Sequence, residues 1–435
     1  MLKQMLTPLI LVPLLSAAAQ SSPPPANAQR YCQQLVQSVD LWNGGPDGQT
    51  GMGAYRQDFN GFFHVNLSRT WEQQRGNRIT SVAQARAIYM NIEAFRATRE
   101  QRFLRAALAG TDFLLDHFRD STHGGFYWEV DDTGWVTSRN KQGYGNVFAL
   151  FTLAQLYSVT HDPRHLEAAR TQLKVLEKHF LDPRDMGLVL PGFNFDFSEL
   201  DGHPNIDTFT HYFEALLALH DVLDGSEKDH VAGLTKEAGQ ALVEVLYQNK
   251  QGHTDQGYVA YNYDSKWSPA QAPYTRATQW TTARQASTGH NIELAYLLSR
   301  AVERGFDSSW LETARKLKRF VEVHSLNPQT GAMQFEITEY DGTPSPGNPD
   351  NALYVWWASS EAARAFLHFA VVHKDYSLAA FHKQENFIQN HFVDQEHGGG
   401  SRMWRSKPSR CPTRAKATSG PSITMKRCWQ QKSCD

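Results

Sequence analysis

Cysteine is scarce in this 435-residue chain, and the four present are poorly placed to cross-link it: Cys32 stands alone, while Cys411, Cys428 and Cys434 fall within the last 25 residues. A disulfide framework is therefore not supported as the organising principle. Runs of one charge are missing as well. With 43 basic and 45 acidic residues scattered along the chain and a net charge of −2, nothing builds a field that would draw nucleic acid or an anionic membrane. Long apolar runs are confined to the N-terminus, MLKQMLTPLILVPLLSAAAQ, which is short, interrupted by proline and followed by Ala17-Ala18-Ala19. That combination reads as a secretory leader over 1–19 and a Pro-rich linker over 20–30, with a periplasmic or secreted product that has no membrane contact after cleavage. What remains, 41% hydrophobic and 12% aromatic, suffices for a large core built as two domains or as one toroid or barrel.

Strand patterns are scarce too. Helical periodicity predicts helices over 31–43, 81–98, 100–118, 142–160, 163–180, 208–224, 230–248, 289–303, 308–323, 355–372 and 375–392. Ser81 with Gln84 reads as a capping box, and Thr208 and Thr288 read as N-caps. The connections alternate in length. Arg99, His161-Asp162 and Lys374 are minimal links that make antiparallel hairpins, whereas 44–80, 119–141, 181–207, 249–288 and 324–354 are long and rich in Gly, aromatic and Asp residues. If outer and inner helices alternate around a ring, the long loops gather at one mouth, over the N-termini of the inner helices.

Those inner helices carry polar residues on faces that otherwise point inward: Arg86, Tyr144, His211 with Glu214, His290 with Glu293, and Trp357 with Glu361. One histidine on an apolar face is ordinarily a satisfied core group. The repeated His-x-x-Glu spacing, near the start of two different inner helices, points instead to a concave small-molecule site. Imidazole suits proton removal next to a carbonyl, since its pKa of about 6.5 lies near neutrality. A guanidinium suits the enediolate oxyanion that results. Glu214, Glu293 and Glu361 also admit a glycoside hydrolase, although each sits beside a His or Trp better suited to proton shuttling. No HExxH or Cys–His spacing occurs, so no metal is expected.

From Gly400 onward the composition changes, with basic residues and cysteine common and apolar periodicity gone. A frame argument accounts for this. When Ser422 to Lys432, SITMKRCWQQK, is read from the third base of each codon, the single codons of Met425 and Trp429 force Glu and Ala, and Cys428 gives Leu. Allowed choices elsewhere yield YHHEALLAAE, which is similar to YFEALLAL at 212–219. By the same shift, Gly399-Gly400-Ser401 reads Trp-Phe. The expectation is a frameshifted tail over 400–435, following a catalytic domain at 31–399, that has replaced the last inner helix and a histidine. Such a chain is also open to being an inactive sugar-binding remnant.

The segments QARAIY (84–89), HGGFYW (123–128), KQGYGNVFAL (141–150), THYFEALLAL (210–219), GHNIE (289–293), WWASSE (356–361) and DQEHGG (394–399) together resemble the N-acylglucosamine 2-epimerase and cellobiose 2-epimerase superfamily. The resemblance implies an all-α (α/α)6 barrel and sugar C2 epimerisation or aldose–ketose exchange, without metal or redox cofactor. It implies that His290 is an acid/base with Glu293 as its orienting partner, and that Arg86 holds the carbonyl oxygen. His211 would open the ring or bind hydroxyls, and Tyr144 and Trp357 would line the sugar site. Glu214 and Glu361 are placed with the substrate-binding groups. Phe209-Thr210-His211 stands where cellobiose epimerases usually have His-x-His, and Ser359 where many relatives have Gln. A histidine at 211 points to an unacylated aldose or disaccharide, with an N-acylglucosamine as the other option. A homodimer is left open.

Overall fold

The computed structural model describes residues 26–44, 50–184, 186–275, 277, 283–334, 339–344, 353–400 and 403–405. The expected leader, the first part of the linker and the tail beyond Arg405 lie outside the described residues. The eleven expected helices are all found: α1 Ala26–Asn43, α2 Ser81–Thr98, α3 Gln101–Phe113, α4 Gly143–Thr160, α5 Pro163–Val175, α6 Ile206–His220, α7 Gly225–Ala241, α8 Thr288–Glu303, α9 Trp310–His324, α10 Trp356–Val372 and α11 Leu378–His391. Helix α1 starts inside the expected linker. Three of them, α3, α5 and α7, run on into a five-residue π-helical turn at Leu114–Phe118, Leu176–Phe180 and Leu242–Leu246.

The helices alternate as the sequence predicts. Helix α4 is buried nearly all round, from Gly143 to Leu156, which marks an inner helix. In α9 the buried residues Trp310, Thr313, Ala314, Leu317, Phe320 and Val321 form one stripe, which marks an outer one. Inner helices α2, α4, α6, α8 and α10 contact one another in that order, each forming a hairpin with the outer helix that follows it. The outer ring closes where Gln34 of α1 meets Gln389 of α11 at 3.3 Å and Arg30 pairs with Glu385. Hairpin links Arg99, His161 and Lys374 all take positive φ. At Arg99 and His161 the amide bonds back to Phe95 and Tyr157 at 2.7 and 2.8 Å, ending α2 and α4.

The caps differ from the sequence reading. An N-cap must be extended just outside the first turn, and Thr208 and Thr288 are already helical. Asn205 caps α6 and Ser287 caps α8. Thr80 caps α2 through the Ala83 amide, and Gln84, rather than closing a capping box, is buried with its amide on the Gly61 and Gly110 carbonyls.

Short strands line the mouth: β1 Arg78–Thr80, β2 Glu129–Asp131, β3 Val136–Ser138, β4 Lys141–Gln142, β5 Gly192–Phe193, β6 Tyr247–Asn249, β7 Gly257–Val259, β8 Leu353–Val355 and β9 Met403–Arg405. They pair antiparallel as β1-β2-β3, β4-β5, β6-β7 and β8-β9. Strands β1, β4 and β8 run directly into α2, α4 and α10. A recurring turn follows the outer helices, closed by backbone bonds Asp120 to Gly125, Asp182 to Leu188, Lys250 to Gln256, Asn327 to Ala332 and Asp394 to Gly399, at 2.8–3.0 Å. The first of these is pinned by buried Lys141, whose Nζ donates to Asp120 at 2.8 Å. Burial draws the Lys141 pKa down to about 8. Among the described residues, no helix is long and apolar enough to cross a membrane.

Candidate functional site

The eight residues singled out in the sequence are linked into one interior cluster by ring contacts, hydrogen bonds and charge interactions. Arg86, from the second turn of α2, donates to the Tyr144 hydroxyl at 2.7 Å, and its guanidinium lies 4.7 Å from the centroid of the Phe148 ring. Phe148 and Tyr144, both on α4, flank the His211 imidazole at 4.4 and 5.2 Å between centroids. Arg86 is thus aimed by a hydroxyl and held by aromatic faces. Trp357, from the first turn of α10, sits 5.0 Å from the His290 ring. This approach needs Gly289, because a Cβ there would come within 2.3 Å of the indole.

The two histidines are held differently. His211 Nδ1 lies 2.9 Å from Glu214 Oε2, and its Nε2 has no hydrogen-bond partner among the described residues. Burial pushes the His211 pKa down, against the pull of Glu214, so the imidazole is held neutral. His290 Nδ1 instead meets the N-cap hydroxyl of Ser287 at 2.7 Å, and its Nε2 lies 2.5 Å from Asp207 Oδ1. The partner of His290 is therefore Asp207 of the neighbouring inner helix, not Glu293, which corrects the expected pairing. Asp207 is one helical turn before His211 on α6, so it faces across to α8. Its other oxygen accepts from Tyr261 at 2.7 Å. Burial works against the Asp207 carboxylate, but His290 and Tyr261 outweigh it and lower its pKa.

Glu293 faces a different set of charges. Burial first, and then Glu361 and Glu214, push its pKa well above the usual carboxylate range. Burial also raises Glu361, against the opposing pull of Arg364. Burial resists ionisation of Glu214 too, yet His211, Arg364 and Arg86 overcome it and lower its pKa. Arg364, one turn beyond Glu361 on α10, pairs with Glu361, lies 3.8 Å from Glu293 and rests 4.2 Å from the Tyr296 ring centroid. One carboxylate with a lowered pKa, two with raised ones and two guanidinium groups thus lie close together in a buried cluster.

His211, Glu214 and Glu293 place one ligand-type atom each within 4.8 Å of one another, a spacing that suits a divalent cation. The guanidinium groups of Arg86 and Arg364, both of which act on Glu214 and Glu293, already occupy that electrostatic role and repel a further cation. Asp207, Ser287, Tyr261 and Arg364 are site residues that the sequence reading missed. Asp207 and Arg364 were findable by helical spacing, at i−4 from His211 and i+3 from Glu361.

The architecture and the pocket first define a class: a helical toroid with acid–base and cationic side chains converging at the N-terminal ends of its inner helices. The family model described as N-acylglucosamine 2-epimerase (GlcNAc 2-epimerase) matches residues 61–419. The chain belongs to that family, and it is a carbohydrate isomerase with the (α/α)6 barrel fold, five of whose inner helices lie among the described residues. It is 22% identical over 350 residues to the cellobiose 2-epimerase of Bacteroides fragilis, covering 78% of this chain and 83% of the relative. Among solved structures, it is similar to the cellobiose 2-epimerase of Spirochaeta thermophila, with a TM-score of 0.70, 21% identity and coverage of 88% and 91%. It is similar also to a D-mannose isomerase, with a TM-score of 0.71, 17% identity and coverage of 89% and 92%.

Proposed function

We propose that the protein interconverts an unacylated aldose, or the reducing end of a disaccharide, with its C2 epimer or its ketose through an enediolate. The observation that carries this reading is the pair of imidazoles presented to one pocket from adjacent inner helices, in different states of hydrogen bonding. His211, neutral and fixed by Glu214 through Nδ1, offers Nε2 to take the anomeric proton and open the ring. His290 takes the C2 proton at Nδ1, freed when the Ser287 hydroxyl turns from it to the sugar, while the Asp207 carboxylate at Nε2 supports the imidazolium formed along the way. Returning that proton to C1 on the same face gives the ketose, and the C2 epimer takes its proton from a second acid on the opposite face, the role of the histidine expected from the shifted reading of the tail. Arg86 stabilises the enediolate oxygen, and inner-helix N-termini add positive dipole at the same place. The relatives' printed activities, cellobiose epimerisation and mannose isomerisation, both fit this chemistry. We also propose that the N-terminal leader exports the protein to the periplasm or beyond.

A second reading, glycoside hydrolysis, draws on one observation, namely that two carboxylates lie within 4.8 Å of each other with opposite shifts, Glu293 raised by burial and by its acidic neighbours and Glu214 lowered by His211 and two arginines. One experiment separates the two. Mannose, glucose, cellobiose and N-acetylglucosamine are incubated in D2O and followed by proton NMR, using the 435-residue chain and a chain whose tail is read in the shifted frame. Deuterium at C2 with an epimer or ketose as product is expected, strongest for the unacylated sugars. Cleavage of cellobiose without exchange would replace the proposal with hydrolysis, and silence from both chains on every sugar would overturn it.

A further inference from the structure

The groups around His290 form a line that proton transfer to and from a sugar does not by itself require. Ser287 Oγ lies 2.7 Å from His290 Nδ1, His290 Nε2 lies 2.5 Å from Asp207 Oδ1, and Asp207 Oδ2 accepts from the Tyr261 hydroxyl at 2.7 Å. Ser287, His290 and Asp207 are all buried. With a carboxylate at Nε2, that nitrogen carries the ring proton, and Nδ1 presents its lone pair to the hydroxyl. The order is that of a serine nucleophile, its general base and the acid that orients the base, here with the two ring nitrogens in exchanged places. Ser287 also caps α8, its Oγ accepting from the His290 amide at 3.3 Å. That duty uses a lone pair of the oxygen and leaves the hydroxyl hydrogen to spare. Thr80, Asp162 and Asn205 cap α2, α5 and α6 through their side chains too, yet among the described residues only the cap of α8 hydrogen-bonds an imidazole.

What such a serine can attack is set by its surroundings. The amides of Thr288 and Gly289, the first two of α8, have no acceptor inside the helix. The amide that follows a serine nucleophile is where acyl-transferring sites receive the oxyanion, and the positive end of the helix dipole favours the same charge. Trp357 crosses Gly289 closely and stands 5.0 Å from the His290 ring, so an apolar wall suited to a small acyl group lies beside the serine. A carbonyl carbon bonded to oxygen, with a short acyl chain, fits these groups. The sugar that would carry it rests on the reading proposed above.

We infer that Ser287, His290 and Asp207 give this pocket a further activity, the hydrolysis of an O-acyl ester carried by its sugar. Ser287 Oγ bonds to the acyl carbon while its proton passes to His290 Nδ1. The bond from the acyl carbon to the sugar oxygen then breaks, and that oxygen leaves with the proton from Nδ1. Water attacks the acyl-serine in the same way, giving its proton to Nδ1 and then to Ser287 Oγ, and the acid departs. Two experiments on the 435-residue chain test this. A fluorophosphonate, which needs no sugar, should phosphonylate the peptide that contains Ser287. Methyl 2-O-acetylmannoside, which cannot open its ring and so cannot be isomerised, should release acetate. Both results should be lost in Ser287→Gly, a substitution that keeps most of the cap. Asp207→Asn should slow phosphonylation by about 100-fold or more and move the ionisation in its pH profile, which a merely structural carboxylate would leave in place. Phosphonylation elsewhere or nowhere, an intact ester, or ester cleavage by Ser287→Gly at the parent's rate would each overturn the inference. Deuterium exchange at C2 of free mannose by a chain that gives neither label nor acetate would overturn it alone and leave the isomerase reading standing.

Discussion

His211 and His290 each stand three residues before a glutamate, near the start of adjacent inner helices, yet only one of them uses it. His211 meets Glu214 at 2.9 Å. His290 turns to its own N-cap serine and to Asp207 on the neighbouring helix, leaving Glu293 to Glu361 and Arg364. An i,i+3 spacing places two groups on one face and no more than that. Which of them bond is decided by what the next helix around the ring presents: α6 offers α8 the Asp207 carboxylate one turn before His211.

The comparison is broken most severely at the imidazoles themselves. His290→Asn is expected to reduce deuterium exchange at C2 by about 100- to 10,000-fold, the range of an acid–base group. His211→Asn, which spares the C2 step, should cost less and should recover most when the sugar is supplied with a large open-chain fraction. Equal losses for the two variants on every sugar would mean that the histidines share one role.

The carboxylates sharpen it next, through opposite signs. Glu214 has a lowered pKa in the fold, so it contributes stability above the unfolded value of about 4.3 and loses it as pH falls through the folded value. Glu293 has a raised one, so its contribution is present below that unfolded value and is lost as pH climbs through the folded one. Glu214→Gln should therefore destabilise at pH 7 by about 1–2 kcal/mol and have little effect near pH 3. Glu293→Gln should gain stability relative to the parent as pH rises from about 4.5 to 8. Urea melts across that range check both, and a shared sign would refute the contrast. The smallest effect is expected at Tyr261→Phe, which removes the hydroxyl on Asp207. A loss of about 1 kcal/mol in stability and a few-fold in turnover, with substrate binding unchanged, should follow.

Much of this molecule was legible before its structure. Inner and outer helices declare themselves by whether apolar residues run all round, as in α4, or in one stripe, as in α9. The hairpins declare themselves by links too short for anything else, and Arg99, His161 and Lys374 occupy left-handed backbone there. The eight polar residues were visible as exceptions on buried faces. The strands were not visible, because two or three residues are too few to show a period of two. The caps were misplaced by one to three residues because several Ser, Thr and Asn side chains compete within one turn. The Asp207–His290 pairing was out of reach for a different reason. It joins two helices more than eighty residues apart in sequence, and spacing along one helix says nothing about it.

The closure of the outer ring through α1 and α11 has a mechanical consequence. Elsewhere successive hairpins share broad apolar walls, but at this joint the chain's first and last described helices meet through one buried tyrosine, Tyr31, in a cluster with Phe381 and Ile388, and through partly exposed polar pairs, Arg30 with Glu385 and Gln34 with Gln389, which are worth little in water. A closed necklace of hairpins opens at its weakest clasp. Sub-global unfolding should begin there, so that amide protons of α1 and α11 exchange ahead of those of α4 and α6 and the ring unzips from both ends towards the histidines, which lie on the side of the barrel that opens last.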